Sequence, residues 1–117
     1  MDLRRLGHDV QRVSDRYAGR LGIVRDDAWY LLKLQEEVGE LTQAYLMRAG
    51  QARTRGLTPE EIEAGFRAEL ADVLCHVLLM ARHHGVDLEA EVTRKWLTWL
   101  PDEPEAPASG APGSGIT

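Results

Sequence analysis

Apolar residues in this chain recur at steps of three and four, and no segment alternates apolar and polar at a step of two. A helix of 3.6 residues per turn gathers the first pattern onto one face, whereas a half-buried strand requires the second. The chain is therefore read as all-α, with four helical segments. The first runs from about Leu3 to about Tyr17, with Leu3, Leu6, Val10, Val13 and Tyr17 on one face. Gly19 to Arg25 reads as a connection. The second helix starts at Asp26 or Asp27, either of which can cap it, and carries the stripe Leu31, Leu34, Val38, Leu41 and Tyr45. The stretch from Arg48 to Gly56 loses the pattern and reads as a loop. Thr58-Pro59-Glu60-Glu61 gives T-x-x-E with proline at the first helical position, a strong helix start. The third helix then carries Ile62, Phe66, Leu70, Val73, Val77 and Ala81, with Gly85 as its stop. The fourth starts near Asp87, carries Leu88, Val92, Trp96 and Trp99, and ends at Pro101. Residues 1–100 form one all-α domain in this reading. Residues 101–117, rich in Pro, Gly, Ala and Ser, form a disordered tail.

With 117 residues, 44% of them hydrophobic, the chain can build one modest core, of a size often completed by association. The formal charge of −5, from 14 Lys+Arg against 19 Asp+Glu, argues against a general binder of nucleic-acid polymers, which presents a basic surface. A nucleotide remains compatible, because a divalent cation neutralises its phosphates locally. Cys75 is the only cysteine and cannot form an internal disulfide, which suits a reducing compartment. No stretch approaches the ~20 apolar residues of a membrane span. A cytoplasmic protein without a membrane partner is expected.

The second helix contains Glu36-Glu37-Val38-Gly39-Glu40 and the third contains Glu69-Leu70-Ala71-Asp72. Each holds an acid-x-x-acid pair, and residues three apart on a helix are surface neighbours whose like charges repel. Glu37 lies at the edge of the Leu34–Val38–Leu41 stripe, with Glu40 just beyond it. Glu69 borders the stripe of Ile62, Phe66 and Val73, with Asp72 one step further out. If the two stripes face each other, the four carboxylates share one groove, an arrangement that calls for a cation. Oxygen ligands without thiolates or imidazoles select Mg²⁺, Mn²⁺ or Ca²⁺. Two ordinary solvated helix faces explain the same residues, and spacing alone leaves both readings open.

Other residues divide in the same way. His76, four after Asp72, reads either as a hydrogen-bonded groove histidine or as a contact to a base or ribose. Lys33, four before Glu37, reads as a helix ion pair or as a phosphate contact. His83 and His84 fit the negative end of a helix as caps. Cys75 fits a small core residue. Trp29, Trp96, Trp99, Tyr30 and Tyr45 fit core or interface packing, with base stacking as the alternative. Gly39 costs up to ~1 kcal/mol inside a helix, which suggests close approach of another helix or a ligand.

The segments KLQEEVGELTQAY and AELADVLCHVLLMA together resemble the MazG-like all-α nucleoside triphosphate pyrophosphohydrolase superfamily. Its signature is E-E-x-x-E on one helix and E-x-x-D on the next, here Glu36, Glu37 and Glu40, then Glu69 and Asp72 after a spacer of 28 residues. The resemblance covers about Asp27 to Trp99. It implies a four-helix antiparallel bundle completed as a homodimer or homotetramer. It also implies Mg²⁺, or Mn²⁺, held by Glu37, Glu40, Glu69 and Asp72, and cleavage of a nucleoside triphosphate to the monophosphate and pyrophosphate. Glu36 would be an additional acid that orients water. Lys95, with Arg94 beside it, matches the first of the family's C-terminal basic positions and would serve catalysis and substrate binding, joined by Lys33 and His76. Thr98 and Trp99 stand where the later Lys and Asn are expected, so the basic cluster is incomplete.

Other functions fit parts of this pattern. Phosphoribosyl-ATP pyrophosphatases and enzymes directed at dUTP or dCTP share the helical core. A non-catalytic helical interaction module would keep the fold without turnover. A di-iron carboxylate bundle needs E-x-x-H pairs, and neither acidic motif carries one.

Overall fold

The computed structural model describes residues 2–101, and within them the chain is all-helical. The expected tail lies outside the described residues except for Pro101. Helix α1 spans Leu3–Leu21 and begins where Asp2 accepts a hydrogen bond from the Arg5 backbone N–H at 2.7 Å. It ends at Gly22, whose φ of 65° permits the left-handed turn in which Ile23 N donates to Ala18 O at 3.0 Å. The helix therefore runs past Tyr17, the end expected from its apolar pattern. The following loop is tied back by Arg25, which donates to Ser14 at 2.8 Å and to Asp15 at 2.7 Å.

Helix α2 spans Asp27–Arg48 and is capped by Asp26, which accepts from Trp29 N at 2.8 Å. Helix α3 spans Pro59–His83. Its capping box closes in both directions: Glu61 N donates to Thr58 Oγ1 at 3.1 Å, and Thr58 N donates to Glu61 Oε1 at 2.9 Å. Gly85, at φ 67°, lets Val86 N turn back to Ala81 O and end it. Helix α4 spans only Leu88–Lys95, followed by a 3-10 turn at Leu97–Trp99, whereas the apolar pattern carried it unbroken through Trp99.

Contacts along α2 and α3 pair the start of one with the end of the other. Asp27 meets His83 at 2.5 Å, the Tyr45 and Phe66 rings lie 6.3 Å apart, and Arg48 donates to Glu63 at 2.7 Å. The two helices are thus antiparallel and form the principal packing unit. Helix α1 packs on α3 where buried Gly7 meets the Arg82 side chain. Helix α4 rests on α1, joined by a bond from Leu3 N to Glu89 Oε1 at 2.9 Å and by the Arg4–Asp87 pair.

The core is small: Ala18, Tyr30, Ala44, Ile62, Leu78, Leu79 and Ala81. Here the expected stripes need correction. On α2 the buried positions are Tyr30, Glu37 and Ala44, while Leu31 and Tyr45 remain 51% and 49% exposed. Leu34 and Leu41 are half-buried and Val38 is exposed. Val13 and Tyr17 of α1, Leu70 of α3, and Val92, Trp96 and Trp99 at the C-terminal end are also exposed. The reason is geometric. Within one chain α2 has α3 as its principal neighbour, and the helix is rotated so that Glu37 turns inward and the adjacent apolar stripe turns out.

Gly39 was expected to mark a close approach, yet a Cβ there would meet nothing within 4 Å. Gly39→Ala should therefore raise the unfolding free energy of the metal-free protomer by up to ~1 kcal/mol in urea titration. A loss of stability would mean that another molecule sits against this position.

Candidate metal centre

The rotation of α2 carries a charged side chain into the helix pair. Glu37 is only 8% exposed, the one buried charged residue among those described. From α3, Glu69 approaches half-buried, with its Oε2 enclosed and without a hydrogen-bond partner. Oxygens of Glu37, Glu69 and Asp72 lie within 4.8 Å of one another, as do those of Glu36, Glu37 and Glu40. Glu37 belongs to both groups. Glu37, Glu69 and Asp72 thus meet across the two helices, Glu40 joins them beside Glu37 and Glu69, and Glu36 is exposed alongside.

The electrostatics follow from this crowding. Burial first, then the hydrogen bond with Glu40 and the charges of Glu40 and Glu69, push the Glu37 carboxyl up to about 7. Lys33 opposes the shift. Glu69 is raised by burial and by Glu40 and Asp72. A buried, unpartnered carboxylate oxygen beside a second buried acid is costly unless a proton or a cation neutralises it. A hard divalent cation suits this all-oxygen donor set.

Lys33 bonds Glu36 at 3.2 Å, three residues on, in place of the expected partner Glu37. Burial works against its charge, but Glu36, Glu37 and Glu40 outweigh that effect and raise its pKa. His76 sits beside the cluster on α3. Burial and Lys33 lower its pKa below the usual histidine value, against Asp72 and Glu36, so the imidazole is neutral near pH 7. Its ring meets that of Trp29 edge-on at 6.3 Å, a contact the apolar pattern had assigned to general packing. Cys75 is half-buried and lies outside the core, contrary to the core role expected of it, and burial and Asp72 raise its thiol pKa. His83 is not a simple cap: it pairs with Asp27 and stacks on Tyr30 at 4.2 Å.

Neither Arg94 nor Lys95 is among the charges that shift Glu37 and Glu69. Helix α4 rests on α1, and Arg94 donates to Glu91 at 2.6 Å. The charges acting on Glu37 and Glu69 come from Lys33 and the neighbouring acids.

Comparison with protein-family models, curated proteins and solved structures finds no match to this chain.

The proton on Glu37 sets a pH dependence. Its folded pKa lies above the ordinary carboxylate value of 4.5, so between about pH 4.5 and 7 the native state holds a proton that the unfolded chain has lost. Without divalent cation, this group's contribution to stability therefore falls as pH rises through that window and levels off above it. Thermal unfolding should show Glu37→Gln flattening the fall and raising the metal-free midpoint at pH 8 by several degrees. A Gln variant with the parent's pH profile would show that Glu37 carries no extra proton.

Proposed function

We propose that this protein is a Mg²⁺-dependent pyrophosphohydrolase acting on a nucleoside triphosphate. The observation that carries the reading is the acid cluster in which buried Glu37 meets Glu40 on its own helix and Glu69 and Asp72 from α3, with one Glu69 oxygen enclosed and unpartnered. The motif resemblance supplies the reaction class. These four residues are the ligands for Mg²⁺, with Mn²⁺ as a substitute. A divalent cation held there neutralises phosphate oxygens and lowers the pKa of bound water.

The chain's own residues then have separable tasks. Glu36, exposed at the rim, orients the water that attacks the α-phosphorus. Lys33, the cation nearest the acids along α2, faces the negative charge that develops on the departing pyrophosphate. Lys95 and Arg94 keep no phosphate role within one chain. The incomplete basic cluster, with Thr98 and Trp99 at its later positions, favours the second reading, a non-catalytic helical module of the same fold.

Purified protein with Mg²⁺ should release pyrophosphate from at least one nucleoside triphosphate in a panel that includes dUTP, dCTP and phosphoribosyl-ATP. Glu40→Gln and Asp72→Asn should each lower kcat at least a hundredfold, on the order of 2.7 kcal/mol of transition-state stabilisation, with the helical circular-dichroism spectrum kept. Full turnover in both variants removes the assignment. If no turnover occurs, titration with Mg²⁺ and a non-hydrolysable triphosphate separates the readings, because the module binds neither.

The bare apolar stripe also supports association. We assign Leu31, Val38 and Tyr45 of α2, with Leu70 and Leu74 of α3, to contact with a second copy in a homodimer or homotetramer. All five are exposed large hydrophobics in the single chain. Val38→Asp should lower the sedimentation mass toward that of one 13.1 kDa chain. An unchanged assembly would place the interface elsewhere.

A further inference from the structure

On α2 the residues Trp29, Lys33, Glu36 and Glu40 follow one another at steps of four, three and four. At ~100° per residue they stay within about 60° of one another, so they share one face of the helix. An aromatic ring, an ammonium group and two carboxylates thus appear in that order. On α3 the residues His76, Asp72 and Glu69 form the matching line, read in the opposite chain direction. Because the helices are antiparallel, His76 stands opposite Trp29 and the acids stand opposite the acids.

We propose that Trp29 and His76 form the seat for the ring of the ligand whose phosphates the acidic cluster holds, so that the ligand lies along α2 with its base toward the helix start. The proposal rests on the pyrophosphohydrolase reading and gives that site a direction. Trp29 is set for the task. Its backbone N–H is fixed by Asp26 at 2.8 Å, and its ring packs at steep angles against Tyr30 at 5.0 Å and His76 at 6.3 Å. Tyr30 is buried and stacks in turn on His83, which Asp27 holds. The indole is half-buried and keeps surface open to a second ring. His76 beside it offers two ring nitrogens to the polar edge of a base. From Trp29 to Glu40 the axial distance is about 16 Å at 1.5 Å per residue, and Lys33 stands about 6 Å from the ring end. An extended nucleoside triphosphate has this same order of groups: ring, anionic chain, cation-bound terminus.

The test compares two ligands in the presence of Mg²⁺: a non-hydrolysable nucleoside triphosphate and inorganic tripolyphosphate, which has no ring. Titration calorimetry on the full chain should show Trp29→Ala cutting the affinity ratio of the first to the second by about tenfold or more, as loss of one base–aromatic stack predicts. In a separate protein carrying Trp96→Phe and Trp99→Phe, Trp29 is the sole tryptophan. Its fluorescence should change with the nucleotide and not with tripolyphosphate. If both ligands bind, the ratio stays within twofold of the parent's and Trp29 emission ignores the nucleotide, the ring seat is wrong while the acidic site stands. If neither ligand binds with Mg²⁺, the acidic-site reading fails and takes the seat with it.

Discussion

Everything in the α2–α3 pair turns on two carboxylates pressed together at its interface. Glu37 is buried, Glu69 is half-buried with an unpartnered oxygen, and burial raises the pKa of both. A helix pair built only for packing would place leucine there. The helices can hold this arrangement because their ends are secured independently. Arg48 meets Glu63 at one end and His83 meets Asp27 at the other, while capping groups at Asp26 and Thr58 fix both starts. Surface pairs of this kind contribute little each. They set the register, and the register decides which acids face each other.

Much of this was legible in the residues alone. The T-x-x-E start of α3, the aspartate caps, the glycine stops and the acidic pairs depend on local chemistry and are seen in the structure. What stayed hidden depends on rotation and on neighbours. The α2 stripe of Leu31, Leu34, Val38, Leu41 and Tyr45 is apolar, so pattern reading turns all of it inward, whereas only Leu34 and Leu41 become half-buried. The helix turns Tyr30, Glu37 and Ala44 inward instead, about 100° away. Apolar periodicity identifies a face that needs cover without saying whether the same chain covers it. The 3-10 turn after Lys95 could not be read from a continuing apolar pattern. Gly7 shows the reverse error: it escaped notice in an amphipathic helix but is the buried point where α1 packs on α3.

The exposed apolar residues and the acidic groove belong to one compromise. Turning Glu37 toward α3 gives up part of the burial that the adjacent stripe would have provided. A small domain already lacks surplus core. The function proposed for the site and the association proposed for the bare stripe therefore have a common origin in the angular setting of one helix.

Glu37 contributes an oxygen to both acidic triads. Two ions in those triads would not be chemically independent, because each would draw on the electrons of the same carboxylate. Hydrogen ions are rivals for that carboxylate too, since its affinity for them is tuned near neutrality. Mild acidification would thus weaken the hold on both ions together, through one shared ligand.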